Sequence, residues 1–222
     1  MTNNEAKDLV REVFSEIEQA KSVHEIKKII ENRKESQQYL MNTTVYPKLN
    51  FSISIQEIEI LKNSGFLTSE NSVSNDIINL APPLAKLFYA TLWKNGDLHK
   101  IKHIVEGIIE SDSNDSSKEN ALVFYQFGKY LTRKESQPII DQHVIRAFAV
   151  YQAKDDIEVL KSRKINIINK SHNNIIKEYK KWLTEKPTSD LRNDPDYTYY
   201  VDQLVFAVGK AMKVSRFSDI VR

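Results

Sequence analysis

Apolar residues recur three or four positions apart along almost the whole chain, which is the spacing of one face of an α-helix. Near the N-terminus this pattern places Leu9, Val13, Ile17 and Ala20 on one stripe. The 222 residues include only five glycines and six prolines, whereas β-sandwiches and barrels need many such turn residues. The sequence therefore predicts an all-α protein whose helices are joined by short links.

The composition excludes several kinds of site. The chain has no cysteine, which rules out disulfides, thiolate zinc sites, iron–sulfur clusters and cysteine nucleophiles. Its 32 Lys and Arg against 30 Asp and Glu give a net charge of +2, too balanced to indicate a nucleic-acid-binding protein by itself. The first eight residues are polar and unlike a signal peptide, and no apolar run reaches membrane-spanning length. We expect a cytoplasmic protein without a membrane segment or a cofactor.

One set of potential metal ligands is present. His99 and His103 lie four residues apart, and Glu106 follows one turn later on the same helix face. This spacing can chelate a metal, but a zinc hydrolase would need a His-Glu-x-x-His motif, which the chain lacks. A solvated helix edge is the favoured interpretation, and we predict no metal site.

The segment from Pro138 to Arg146 reads Pro-Ile-Ile-Asp-Gln-His-Val-Ile-Arg. The pattern predicts that Asp141 opens a helix carrying His143 and Arg146 in its first turns. A carboxylate at a helix start faces the positive end of the helix dipole, which keeps it ionised and held in place. Asp141 is therefore either a plain helix cap or a catalytic base in a cleft.

A polar hairpin between two helices, followed by this segment, resembles the core of the helix-hairpin-helix DNA glycosylase superfamily. In that family the segment reads roughly Val-Asp-Thr-His-Val-x-Arg, and Asp141, His143, Val144 and Arg146 match it. The closing stretch Val201–Lys210 also resembles the last helix of some divergent members.

The resemblance covers about residues 84–151 together with the terminal helix. It implies a single two-lobed helical domain. Residues 76–153 would form the glycosylase-like core, and residues 1–75 and 154–222 would form a flanking helical lobe.

The resemblance implies a DNA-repair hydrolase that releases a base flipped out of double-stranded DNA. Cleavage of the N-glycosidic bond builds positive charge on the sugar, which a nearby carboxylate can stabilise, or the carboxylate can deprotonate a water. By resemblance Asp141 holds this catalytic role, and His143 and Arg146 support the start of the helix.

The hairpin, about residues 111–117, departs from the family pattern. It contains no glycine and carries two aspartates, which would repel a DNA phosphate. By resemblance the lysine nucleophile of the bifunctional members falls near Lys118, although Glu119 or Asn120 fits the place equally well. Without that lysine, only a monofunctional glycosylase that uses water remains.

The stretch after the Asp141 helix is rich in basic residues, which are either contacts to the DNA backbone or plain solvated surface. The candidate contacts are Lys161, Arg163, Lys164 and Lys170. Three functions stay open. The chain is a monofunctional base-excision glycosylase, a relative without catalysis that binds nucleic acid or protein, or a helical partner in a protein assembly without nucleic acid.

Overall fold

The computed structural model describes residues 1–33, 37–75, 82–113, 121–135 and 137–214. Within these ranges the chain forms eleven α-helices, one short 3-10 helix (Lys170–His172) and no strand. The prediction of an all-α protein is confirmed. None of the helices in these ranges is both long enough and apolar enough to cross a membrane.

The helices are numbered in chain order. They are α1 (Asn3–Gln19), α2 (Val23–Asn32), α3 (Ile55–Asn63), α4 (Pro83–Lys94), α5 (Leu98–Ile109), α6 (Leu122–Leu131), α7 (Gln142–Gln152), α8 (Asp156–Arg163), α9 (Asn173–Glu185), α10 (Ser189–Arg192) and α11 (Tyr197–Ala211).

The chain divides into two compact units. The first unit comprises Met1–Leu49 and Pro138–Arg222, and the second comprises Asn50–Gln137. The division at residue 138 assigns α7 to the same unit as the helices near both termini. The predicted core of residues 76–153 therefore spans parts of both units.

Helix α7 lies at the centre of the first unit, where it contacts α1, α8, α9 and α11. Every residue from Val144 to Val150 is buried, so the helix is enclosed on all sides rather than on one face. Aromatic rings fill the space around it. Phe14 of α1 stacks on Tyr151 with ring centroids 4.4 Å apart, and Phe148 lies 5.2 Å from Tyr179 of α9.

Two glycines set the packing of the second unit, where α5 and α6 cross. A Cβ atom on Gly107 would lie 2.0 Å from the backbone oxygen of Tyr125, and one on Gly128 would lie 2.0 Å from that of Ile104. Because the obstructing atoms belong to the backbone, a larger residue at either position would force the helices apart. Neither glycine ends a helix, so no local sequence signal predicted this role.

Candidate functional site

Asp141 is the N-cap residue of α7, as the sequence predicts. Its Oδ1 accepts hydrogen bonds from the backbone N–H groups of His143, at 2.7 Å, and Val144, at 2.8 Å. Its Oδ2 accepts no hydrogen bond within the described part of the chain. The cap therefore fixes the carboxylate through one oxygen and leaves the other available to a water molecule or a ligand.

The electrostatic environment of Asp141 differs from the one that a helix start alone would provide. Burial raises the pKa of Asp141 above its ordinary value, and this effect outweighs the two capping N–H groups and the charges of Arg146 and Lys210, which lower it. A carboxyl group with increased proton affinity is better suited to accept a proton than an exposed aspartate.

Asp141 lines a small pocket that belongs entirely to the first unit. The other lining residues are Met41, Ile139, Val144, Tyr199, Asp202, Gln203 and Phe206. The pocket is mostly apolar, and its volume is about 20 Å³, which is room for about one water molecule. Small-molecule sites are much larger, at roughly 300–1,000 Å³. This pocket therefore has the size of a water site.

A second carboxylate, Asp202 of α11, lines the same pocket, and sequence reasoning did not single it out. Its side chain accepts a hydrogen bond from the Tyr179 hydroxyl at Oδ1 and from the Ile139 N–H at Oδ2, both at 2.8 Å. Asp202 is only 5% exposed, and burial raises its pKa to about 8, with a smaller contribution from the charge of Asp141. The one available signal was an acidic residue within a largely apolar helix segment.

Arg146 connects α7 to other parts of the first unit. It is fully buried, and its Nη1 donates to the backbone oxygen of Gly209 at 2.8 Å and to Nδ1 of His143 at 2.6 Å. A further hydrogen bond runs from Nη2 to the backbone oxygen of Ile165. Burial lowers the pKa of Arg146 to about 10, so the side chain remains a cation at neutral pH.

His143 is a neutral acceptor in this arrangement. Because a guanidinium can only donate, the bond from Arg146 requires an unprotonated Nδ1 on His143. Burial, together with the charge of Arg146, lowers the pKa of His143 to about 4. The ring packs edge-on against Phe206 of α11, with centroids 4.8 Å apart. These contacts hold the start of α7 against α11.

The close approach of these two helices depends on Gly209. A Cβ atom at this position would lie 1.9 Å from the backbone oxygen of His143 and 2.7 Å from its carbonyl carbon. No side chain fits there unless the first turn of α7 moves. Gly209 therefore allows α7 and α11 to pack closely, and it lies against the turn that Asp141 caps.

The four predicted DNA contacts do not share one environment. Lys161, Lys164 and Lys170 are exposed. Arg163 is only 5% exposed, and its three guanidinium nitrogens donate to the backbone oxygens of Met212 and Met1 and to Oδ1 of Asn3. Arg163 therefore links the two ends of the described first unit. Of the four residues, only the three lysines are exposed for contact with DNA.

The remaining candidates are placed as follows. Lys118, Glu119 and Asn120 lie outside the described residues, together with most of the predicted hairpin. His103 approaches Glu106, with Nδ1 and Oε2 3.4 Å apart. Across the ranges that the structure describes, no group of three His, Asp or Glu side chains could hold a metal ion.

We compared the chain with family models, with curated proteins and with solved structures, and none of the three comparisons found a match.

Proposed function

We propose that the protein is a monofunctional, glycosylase-like hydrolase of N-glycosidic bonds in double-stranded DNA, with Asp141 as the catalytic carboxylate. One observation carries the proposal. Asp141 is held by two N–H groups through Oδ1, and its Oδ2 is left without a hydrogen bond in a residue that lines a water-sized pocket. The pocket has room for about one water beside this carboxylate, and a water-using hydrolase requires such a pair.

The reaction balances without a cofactor. The bond between the sugar C1′ and the base nitrogen breaks, and the base leaves with the bonding electrons and takes up a proton from solvent. Asp141 later returns to solvent the proton that it accepts from the attacking water. Water attacks C1′ as positive charge develops on the sugar, and Asp141 Oδ2 accepts the proton that this water loses. The raised pKa of Asp141 favours this proton transfer. Lys161, Lys164 and Lys170 are the proposed contacts to the phosphate backbone.

We expect the protein to bind duplex DNA containing an oxocarbenium mimic about a hundredfold more tightly than intact duplex at physiological salt. Asp141→Asn should abolish this preference and reduce base release from a panel of damaged duplexes by about a hundredfold or more. Asparagine caps a helix as well as aspartate does, so the substitution removes charge and leaves the fold intact. Fluorescence anisotropy and base-release assays measure both effects.

Asp155→Asn is the matched control. Asp155 is also a helix N-cap, because its Oδ1 accepts the N–H of Glu158 at 2.8 Å at the start of α8, but it is exposed and does not line the pocket. This variant should bind the mimic as the wild type does. Unchanged base release in Asp141→Asn would remove Asp141 from the mechanism.

A second function, a protein-binding module without catalysis, is favoured by one other observation. Helix α4 has no buried residue, and its side chains at Leu84, Leu87 and Phe88 are 61%, 63% and 59% exposed. These positions form one apolar stripe, a feature of surfaces that bind other proteins. Absence of both base release and mimic preference in the wild-type protein would favour this function over the first.

A further inference from the structure

Asp202 connects three parts of the first unit. It lies on α11, it accepts a hydrogen bond from Tyr179 of α9, and it accepts another from the backbone N–H of Ile139. Ile139 stands two residues before Asp141 in the segment that leads into α7. The side chain of Asp202 therefore holds the backbone that presents Asp141 to the pocket.

We propose that Asp202 is a positioning residue that carries a proton at neutral pH, so that it fixes the segment before α7 and leaves Asp141 as the one charged carboxylate of the pocket. The proposal deepens the proposed function and rests on it for the role of Asp141. The protonation state of Asp202 can be tested whether or not the protein cleaves DNA.

The geometry supplies a place for that proton. Oδ2 of Asp202 must remain an acceptor, because the Ile139 N–H can only donate to it. The proton therefore belongs on Oδ1, which lies 2.8 Å from the Tyr179 hydroxyl oxygen. Ionised Asp202 accepts from that hydroxyl, whereas protonated Asp202 donates to its oxygen, so the direction of this hydrogen bond reverses on protonation. Tyr179 is fully buried, and burial raises the pKa of its hydroxyl well above the ordinary value, so Tyr179 stays neutral beside Asp202.

The surrounding charges distinguish the two carboxylates. Arg146 of α7 and Lys210 of α11 interact with Asp141 and favour its ionised form. Asp202 has no cation among the groups that shift its pKa, and the charge of Asp141 disfavours its ionisation. Tyr197 is a further titratable group near Tyr179. Two carboxyl groups in different environments can thus hold one proton and one charge between them.

The pH dependence of folding tests the proton on Asp202. Burial raises the folded-state pKa of Asp202 from 3.8 to about 8, so between these values the folded state binds a proton that the unfolded state lacks. Stability must therefore fall as the pH rises through this window. His143 acts in the opposite sense, since its lowered pKa makes stability rise between about 4 and 6.5. The window from pH 6.5 to 8 separates the two effects.

We expect the unfolding equilibrium constant of the wild-type protein, relative to that of Asp202→Asn, to rise about tenfold per pH unit between pH 6.5 and 8. Asparagine keeps the shape of the side chain and an oxygen for the Ile139 N–H but cannot ionise. Urea unfolding of the two full-length proteins measures the difference. Parallel pH profiles of wild type and variant would overturn the proposal.

Positioning is tested by comparing two replacements of Asp202. Asp202→Leu leaves the Ile139 N–H without its acceptor, whereas Asp202→Asn retains one. We expect Asp202→Asn to keep a preference for the oxocarbenium mimic at least tenfold greater than that of Asp202→Leu. An equal loss of mimic preference in both variants would contradict the positioning role. If the unfolding equilibrium constant of the wild-type protein depends steeply on pH but the protein shows no mimic preference, the protonation of Asp202 is supported and the glycosylase function is rejected.

Discussion

Replacement of Arg146 with alanine is expected to lower the free energy of unfolding of the first unit by about 3–5 kcal/mol, the cost of disrupting a buried charged network. Arg146 is fully buried and donates to the backbone oxygens of Gly209 and Ile165 and to the ring of His143. The alanine variant leaves these three acceptors without a donor and creates a cavity beside α7. Because whole domains are stable by only about 5–15 kcal/mol, this loss removes a large share of the total, and a unit at the lower end of that range would unfold in part at room temperature.

Urea unfolding followed by tryptophan fluorescence can measure this loss. Trp182 is buried in the first unit, whereas Trp93 is 66% exposed in the second, so a Trp93→Phe background assigns the signal to the first unit. Arg11→Ala is the control, since Arg11 is exposed on α1 and its loss should change stability by no more than about 0.5 kcal/mol. Equal unfolding midpoints for the two variants would mean that the Arg146 network contributes no net stability.

The parts of the site that sequence reasoning predicted are those that depend on near neighbours. The cap formed by Asp141 needs only the N–H groups two and three residues ahead, and the local pattern identified it. Asp202 depends on Tyr179 and Ile139, which are 23 and 63 residues away. No local sequence pattern indicates partners at such distances, so only the structure identifies Asp202 as the second carboxylate of the pocket.

The same limit explains why the sequence did not distinguish the buried Arg163 from the exposed lysines near it. Within a run of basic residues it is indistinguishable from the neighbouring lysines, and a charged run normally indicates a solvated surface. In the structure its guanidinium reaches Met1 and Asn3, more than 150 residues earlier in the chain, and is buried there. The pairing of the N-terminal segment with α8 decides its environment, and helical periodicity carries no information on that pairing.

The local pattern also did not predict where the chain divides into two units. The predicted core followed the order of elements along the chain and so kept α7 with the helices just before it. In the structure α7 is enclosed by helices from both ends of the chain, which form the first unit around it. The local pattern predicted that a helix begins after Asp141 but did not indicate that this helix is buried or which helices cover it.

Replacement of Gly209 with alanine is expected to destabilise the first unit by about 3 kcal/mol, at the upper end of the range for overpacking. The added Cβ would lie 1.9 Å from the backbone oxygen of His143, so the first turn of α7 must move away from α11. The Asp141 side chain caps this turn through the N–H groups of His143 and Val144, and its own position must change as well. We therefore expect Gly209→Ala to lose the preference for the oxocarbenium mimic even in the fraction of molecules that remain folded.

Arg11→Ala, which changes an exposed residue on α1 of the same unit, is again the control for this substitution. Its stability should stay within about 0.5 kcal/mol of the wild type, as measured by urea unfolding in the same Trp93→Phe background. A Gly209→Ala protein as stable as this control would show that α7 and α11 can separate at little cost. A destabilised variant that kept its mimic preference would show that binding does not depend on the position of the α7 start, which would weaken the assignment of Asp141 as the catalytic carboxylate.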